Sequence, residues 1–304
     1  EYTIASTSQL LDAQTRDWSD PLFSALDLPR QLFSKPVPEG TRIGERNGVP
    51  VIAPGGHDTA CAVAAVPAQQ GSGWAYLSSG TWSLLGLEVP HPILTPEAAA
   101  ANVTNEGGVA GTIRLLKNIG GLWLVQECRR AWARLGKERS YDELTRLAAE
   151  ATPLATVIDP DHPSLLAPSD MPAAIRQLCS ETGQTPPEGV GATVRCCLDS
   201  LALKYRTVLD TLERLSGQKV TTLHIVGGGS QNRLLNQLAA DATGRIVVAG
   251  PVEATAIGNV LSQALSLGLI GSLEELRAIV RASFPLETYT PDPNMTERFT
   301  ALSR

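Results

Sequence analysis

The residues best placed to do chemistry follow an apolar run at residues 51–53. Two glycines come next, then His57 and Asp58, and then an alanine-rich segment. The pattern predicts a strand, a sharp turn and a helix over residues 59–66, with the two polar side chains at the mouth of a cleft. The simpler alternative is that Asp58 caps the N-terminus of that helix.

A second polar turn lies between two apolar stretches, residues 74–77 and 82–86. These stretches predict the two strands of a β-hairpin. The hydroxyl groups of the turn, among them that of Thr81, and the backbone N–H groups beside Gly80 could form a concave site for a terminal phosphate. A hairpin turn without a ligand is the alternative, because Ser-Gly turns are common.

A triple glycine at residues 227–229 separates a predicted strand, residues 222–226, from a predicted helix, residues 233–242. Glycines let the backbone at Gly228 approach a flat or anionic ligand, and the helix that follows adds partial positive charge. The loop lacks the Gly-Lys-Ser/Thr of a Walker A motif, and Asn232 replaces the third glycine of the dinucleotide-binding fingerprint. A generic dinucleotide site is therefore disfavoured.

Two amide side chains lie near the predicted start of another helix. A loop at residues 102–111 precedes a predicted strand, residues 112–116, and then an amphipathic helix at residues 121–135. Asn118 comes just before this helix and Gln126 lies within it, so both amides could reach the same cleft. Taken singly, each amide suits a helix cap or a surface position.

The remaining patterns describe the frame that positions these groups. Apolar residues at intervals of three and four predict a long helix over residues 191–216, packed on a sheet. A helix crowded with small residues begins within residues 250–259, and residues 273–282 are predicted to form the last helix. The chain is then expected to end in an exposed tail around residues 291–293. Residues 136–187 carry no signal of chemistry.

The composition is that of a globular chain, with 43% hydrophobic and 18% charged residues. A net charge of −6 provides no field that attracts a phosphate backbone, so nucleic acid is not an expected partner. The sequence has neither a run of about 18 apolar residues nor an N-terminal signal region, which predicts no membrane association and a cytoplasmic location. The oligomeric state stays open.

The five cysteines show no paired spacing and no histidine at zinc spacing, so neither a metal site nor a dense disulfide framework is predicted. Most of them are expected to be core thiols. Cys179 and Cys196 flank a loop rich in glycine and proline, and a bridge between them requires Cα atoms within about 7 Å. A reducing cytosol favours free thiols instead.

Five motifs follow one another along the chain, at residues 56–60, 77–84, 104–108, 116–124 and 226–232. Together they resemble the FGGY carbohydrate kinases of the actin-like ATPase superfamily, and the likeness spans nearly the whole chain. The Gly-His-Asp and Leu-Lys-Asn forms of the motifs point, within the family, to the members that phosphorylate L-rhamnulose. The resemblance therefore implies transfer of phosphate from ATP, with Mg²⁺, to the primary hydroxyl of this ketose.

The resemblance also implies roles for single residues. Asp58 would be the catalytic base, and the ketose would contact His57, Asp58 and Thr59. The chemistry agrees, because a sugar hydroxyl is a poor nucleophile at neutral pH unless a carboxylate accepts its proton. No side chain is predicted to bind a metal, since Mg²⁺ would bridge the phosphates. The implied ATP contacts are Thr81, Asn118, Gln126 and Gly228.

The expected fold is α/β: a ribonuclease H-like (actin-like ATPase) domain from residue 54 to 304, in which helices flank a mixed sheet. Residues 1–53 are expected to be the tail of a preceding twin domain, with a loop at residues 41–44. Family members begin with a domain that carries most of the sugar pocket, so these 304 residues alone are expected to be inactive. The alternatives are a kinase for a related ketose such as fuculose or xylulose, a nucleotide- and sugar-binding protein without turnover, and a chaperone-like ATPase.

Overall fold

The structure, a computed structural model, describes residues 1–71 and 73–302. The strands in this part of the chain are β1 (Leu11–Asp12), β2 (Asp17–Trp18), β3 (Thr41–Arg46), β4 (Val49–Ala53), β5 (Trp74–Ser79), β6 (Ser83–Val89), β7 (Thr104–Gly107), β8 (Ile113–Ile119), β9 (Thr222–Val226), β10 (Ile246–Ala249) and β11 (Glu287–Tyr289). The helices are α1 (Tyr2–Ala5), α2 (Asp20–Ala25), α3 (Asp58–Ala64), α4 (Pro96–Ala100), α5 (Trp123–Arg134), α6 (Tyr141–Glu150), α7 (Met171–Glu181), α8 (Gly189–Ser216), α9 (Arg233–Thr243), α10 (Ala254–Ser266), α11 (Leu273–Ser283) and α12 (Pro293–Leu302).

The core of the molecule is a mixed sheet, with strands in the spatial order β11-β10-β9-β5-β6-β8-β7. Strand β9 runs parallel to both β5 and β10, and the other neighbours pair antiparallel. Because β5 and β9 are parallel neighbours, the polar turn after β5 and the triple glycine after β9 lie at the same edge of the sheet.

Helices cover both faces of this sheet, as the alternation of side chains along its strands requires. Ala75 and Leu77 of β5 pack in the larger apolar cluster with α5, α7, α8 and α9. Tyr76, which lies between them in the sequence, packs in the second cluster with α3, α10 and α11. The predicted α/β class, with helices flanking a mixed sheet, is confirmed.

Two helices on the second face cross at very short range. A Cβ atom on Gly258 of α10 would lie 1.8 Å from the backbone oxygen of Cys61 in α3. Only glycine permits this approach, which explains the small residues predicted for this helix. The crossing fixes α3, and with it the loop before Asp58.

Two predicted loops and one predicted tail are wrong. Residues 41–44 belong to β3, which pairs with β4 in a separate two-stranded sheet, and the loop at residues 102–111 contains the edge strand β7. The C-terminal segment forms α12, where Phe299 is fully buried, rather than an exposed tail. These elements form through pairing and packing with distant segments, which local patterns do not reveal.

All five cysteines are buried free thiols, so no bridge joins Cys179 and Cys196. No helix within residues 1–71 and 73–302 is long and apolar enough to cross a membrane. The domain boundary at residue 54 stays a prediction, although the segment before it does touch the sheet: Ser6 accepts a hydrogen bond from the backbone of Gly107 in β7 at 2.8 Å.

Candidate active site

Asp58 is the first residue of α3, and its side chain is 75% exposed. The cap position belongs to His57, whose side chain makes no capping hydrogen bond. The Asp58 carboxylate contacts the hydroxyl of Thr59, at 3.3 Å. The alternative in which Asp58 only caps the helix is therefore wrong, and a carboxylate is presented to solvent where a substrate can reach it.

The loop that carries His57 and Asp58 is held by the N-terminal residues. Glu1 Oε2 accepts a hydrogen bond from the backbone N–H of Gly56 at 2.7 Å, and Thr3 Oγ1 accepts one from that of His57 at 3.0 Å. Thr3 in turn donates its hydroxyl proton to Glu1 at 2.7 Å. A Cβ atom on Gly56 would lie 2.7 Å from Glu1 Oε2, so a larger residue here would displace the Glu1 carboxylate from this contact.

The ring of His57 lies against a buried ion pair formed by Glu106 of β7 and Arg114 of β8. Arg114 Nη2 lies 2.9 Å from His57 Nδ1 and 3.1 Å from Glu106 Oε2, and His57 Nδ1 lies 3.2 Å from the same carboxylate oxygen. Burial opposes ionisation of Glu106, but the positive charge of Arg114 and the hydrogen bond from Thr104 Oγ1 act against it, and the pKa of Glu106 lies below its ordinary value. Glu106 is thus an anion beside the loop that carries Asp58.

Three of the four predicted ATP contacts line one cavity of about 430 Å³ at the edge of the sheet, namely Thr81, Gln126 and Gly228. Thr81 Oγ1 donates a hydrogen bond to Gln126 Oε1 at 3.1 Å. The turn is tied to the start of α5, because the backbone N–H groups of Leu122 and Trp123 donate to the oxygens of Gly80 and Thr81 at 3.1 and 2.9 Å. The hairpin and the helix therefore present their polar groups to the same space.

The three glycines after β9 differ in what they do. Gly227 has φ +86°, a conformation that favours glycine, and a Cβ atom on Gly229 would lie 2.0 Å from Ser79 Oγ. Gly228 has open space on its Cβ side and lines the cavity. Two of the glycines thus shape the loop, and the middle one leaves its backbone accessible to a ligand.

One part of the cavity lining was not predicted from the sequence. Tyr141, Asp142 and Thr145 of α6 line the cavity, within the region that showed no signal of chemistry. Ser140 caps this helix by accepting from the backbone of Glu143 at 3.1 Å. The Ser-x-x-Glu pattern predicts the start of a helix, but nothing local places that start beside the glycine loop.

Asn118 does not line the cavity that Gln126 lines, and the expectation that both amides could reach one ligand cleft stays a prediction. Strand β8 continues through Ile119, and the exposed Asn118 lines a neighbouring cavity of about 330 Å³. Thr81 faces the first cavity, whereas the next residue, Trp82, lines the second. The turn after β5 therefore separates the two amides. His57, Asp58 and Thr59 line neither cavity.

Residues 75–267 match the C-terminal domain of the FGGY family of carbohydrate kinases. The chain belongs to the FGGY family. A rhamnulokinase of Bacteroides thetaiotaomicron is 48% identical to it over 301 residues, which cover 96% of this chain and 61% of that protein. The chain thus spans less than two thirds of the length of this FGGY relative.

Solved structures of a xylulose kinase and a glycerol kinase share the fold. A ligand-bound xylulose kinase from Lactobacillus acidophilus has a TM-score of 0.74 at 15% identity, and covers 99% of this chain with 62% of its own length. A glycerol kinase from Plasmodium falciparum, solved with ADP, has a TM-score of 0.72 at 14% identity, and covers 99% of this chain with 61% of its own length. Likeness at such identities concerns the fold alone, and it confirms the predicted actin-like ATPase architecture.

Proposed function

We propose that the protein containing this chain transfers the γ-phosphate of ATP to the primary hydroxyl of L-rhamnulose, which gives L-rhamnulose 1-phosphate and ADP. The observation that carries the proposal is the 48% identity to a rhamnulokinase across 96% of the chain. The geometry supports it with an exposed carboxylate at Asp58 and a cavity lined by polar groups at the edge of the central sheet where β5 and β9 end.

Asp58 is the proposed general base. As the sugar oxygen attacks the γ-phosphorus, the hydroxyl proton passes to the Asp58 carboxylate, the new O–P bond forms, and the bond from the γ-phosphorus to the bridging oxygen of ADP breaks. The exposed carboxylate has room for a hydroxyl within hydrogen-bond distance. His57 and Thr59, its neighbours in sequence, are proposed to contact the ketose.

The cavity lined by Thr81, Gln126 and Gly228 is the proposed nucleotide site. Hydroxyl, amide and backbone N–H groups are donors suited to phosphate oxygens. Asn118 is a proposed ATP contact as well, and this role requires the phosphates to extend past the turn at Thr81 toward the second cavity. The adenine would then lie deeper in the first cavity, toward α6.

Mg²⁺ would be held chiefly by the phosphates of the nucleotide. Among residues 1–71 and 73–302, no three His, Cys, Asp or Glu side chains are grouped so that they could bind a metal ion. When bound, the ion neutralises charge on the transferring phosphoryl group. A cytoplasmic location follows from this proposal, because ATP is held there and the free thiols fit a reducing compartment.

The test is a coupled ADP-release assay on a completed chain, in which these 304 residues follow the N-terminal part of the Bacteroides thetaiotaomicron relative. L-rhamnulose is compared with L-fuculose and D-xylulose, and with no sugar. We expect the largest kcat/KM for L-rhamnulose. Preference for another ketose would replace the substrate in this proposal, and ATP hydrolysis that needs no sugar would favour the chaperone-like ATPase.

A further inference from the structure

A fully buried guanidinium group lies directly behind the residue that precedes Asp58. Arg114 is 0% exposed, and its Nε donates a hydrogen bond to the backbone oxygen of Gly107 at 2.9 Å. Its Nη2 lies 2.9 Å from His57 Nδ1. The guanidinium is therefore fixed at two points, one of which is the backbone of β7.

Two groups compete for the same ring nitrogen of His57. Arginine only donates hydrogen bonds, so an Nδ1 atom that pairs with Arg114 must accept and cannot carry a proton. Glu106 Oε2, at 3.2 Å, only accepts when ionised, and would require a proton on Nδ1. The contact with Arg114 is the shorter one at 2.9 Å, and its hydrogen-bond geometry is satisfied. In contrast, Glu106 Oε2 has no hydrogen-bond partner within the described residues.

We propose that Arg114 is a positioning residue that holds the neutral ring of His57 in the tautomer with its proton on Nε2. The Nε2 atom lies 3.8 Å from Asp58 Oδ1, so this N–H is directed to the side of the ring where the carboxylate lies. His57 then presents a donor beside the base, ready for a sugar hydroxyl. The significance for catalysis rests on the proposed function, but the tautomer itself does not.

Glu106 has the supporting part in this arrangement. It neutralises the buried charge of Arg114 at 3.1 Å, and its Oε1 accepts a hydrogen bond from Thr104 Oγ1 at 3.1 Å. A buried cation without such a partner is strongly destabilising. The pair is joined across β7 and β8, where Glu106 and Arg114 are directly opposite in register.

The position of the ring proton can be measured by ¹⁵N NMR on the 304-residue chain with labelled histidine. Spectra are recorded at about pH 9, well above the ordinary pKa of histidine, and the His57 signals are assigned by their loss in His57→Asn. We expect the proton on Nε2 in the parent chain. In Arg114→Met we expect it to move to Nδ1, because Glu106 is then the remaining charged neighbour of that atom.

A second variant and a control complete the design. The double variant Arg114→Met/Glu106→Gln removes both charges of the buried pair, and it serves if the single variant fails to fold. In this variant His57 should show a mixture of both tautomers. Arg195→Met removes another buried arginine, which pairs with Asp199 in α8 at 2.8 Å, and should leave His57 unchanged. A parent ring protonated on Nδ1, an Nε2 proton that persists in both Arg114 variants, or an equal shift in Arg195→Met would overturn the proposal. Loss of kinase activity does not enter this test.

Discussion

The middle glycine of the loop after β9 offers a sharp test of the proposed nucleotide site. Gly228 lines the cavity, and a Cβ atom built on it meets no other atom within 4 Å. Its φ lies outside the left-handed region, so a side chain there strains neither the backbone nor its surroundings. Gly228→Val should therefore fill space that a ligand needs while it leaves the fold intact.

The expected size of the effect follows from the groups that the valine would shield. If the nucleotide is kept from two backbone N–H groups of the loop, the loss is about 1 kcal/mol for each. A total of about 2 kcal/mol corresponds to ADP binding weakened about 30-fold. The free energy of unfolding should change by no more than about 0.5 kcal/mol, as for a substitution that touches nothing.

Gly229→Ala is the matched control, because its Cβ atom would lie 2.0 Å from Ser79 Oγ and 2.6 Å from Ser79 Cβ. This variant should lower the free energy of unfolding by about 1–3 kcal/mol through overpacking. Calorimetry with ADP and thermal unfolding of both variants separate the two effects, and the KM for L-rhamnulose in the completed chain should stay near that of the parent in Gly228→Val. Unchanged ADP binding in Gly228→Val, or a loss of stability equal to that of Gly229→Ala, would refute the assignment of the cavity.

Further outcomes are expected elsewhere in the chain. Asp58→Asn in the completed chain should lower kcat by about 10²–10⁴ while ADP binding stays intact, and steady-state rates near those of the parent would remove Asp58 as the base. The 304 residues alone should bind ADP weakly and L-rhamnulose negligibly in calorimetry and transfer no phosphate, whereas sugar-dependent turnover would show that the cleft is complete without another domain. Burial, and then the charges of Arg277 and Arg281, lower the pKa of His224 to about 4. Between about pH 6.5 and pH 4, the His224 ring is therefore neutral in the folded protein but protonated in the unfolded chain. The free energy of unfolding should therefore decrease as the pH is lowered from about 6.5 to about 4. Denaturant titrations at pH 7 and pH 5 should show a decrease that is about 2 kcal/mol larger in the parent than in His224→Gln. Equal decreases in the two proteins would contradict the lowered pKa of His224.

Local patterns in the sequence were sufficient to predict the helices and loops whose conformation depends on their own residues. The apolar residues of α8 recur at helical spacing over residues 189–216. The glycines after β9 and the Ser-Gly turn after β5 predict loops because these residue types favour turn conformations of the backbone. Thr81 and Gly228 could be singled out because each belongs to a motif of the family, and Gln126 follows another of these motifs by two positions. Their meeting in one cavity follows from the parallel pairing of β5 and β9.

Only the tertiary structure decided the features that depend on distant partners. Strand β7 is short and polar, and it is a strand because it pairs with β8; that register brings Glu106 opposite Arg114 and places both against His57. Asn118 and Gln126 are eight positions apart, yet the turn between β5 and β6 separates the cavities that they line. Tyr141 lines the cavity proposed for the nucleotide because α6 packs against α8. In each case the deciding free energy comes from burial or pairing between segments far apart in the chain, which no local periodicity can encode.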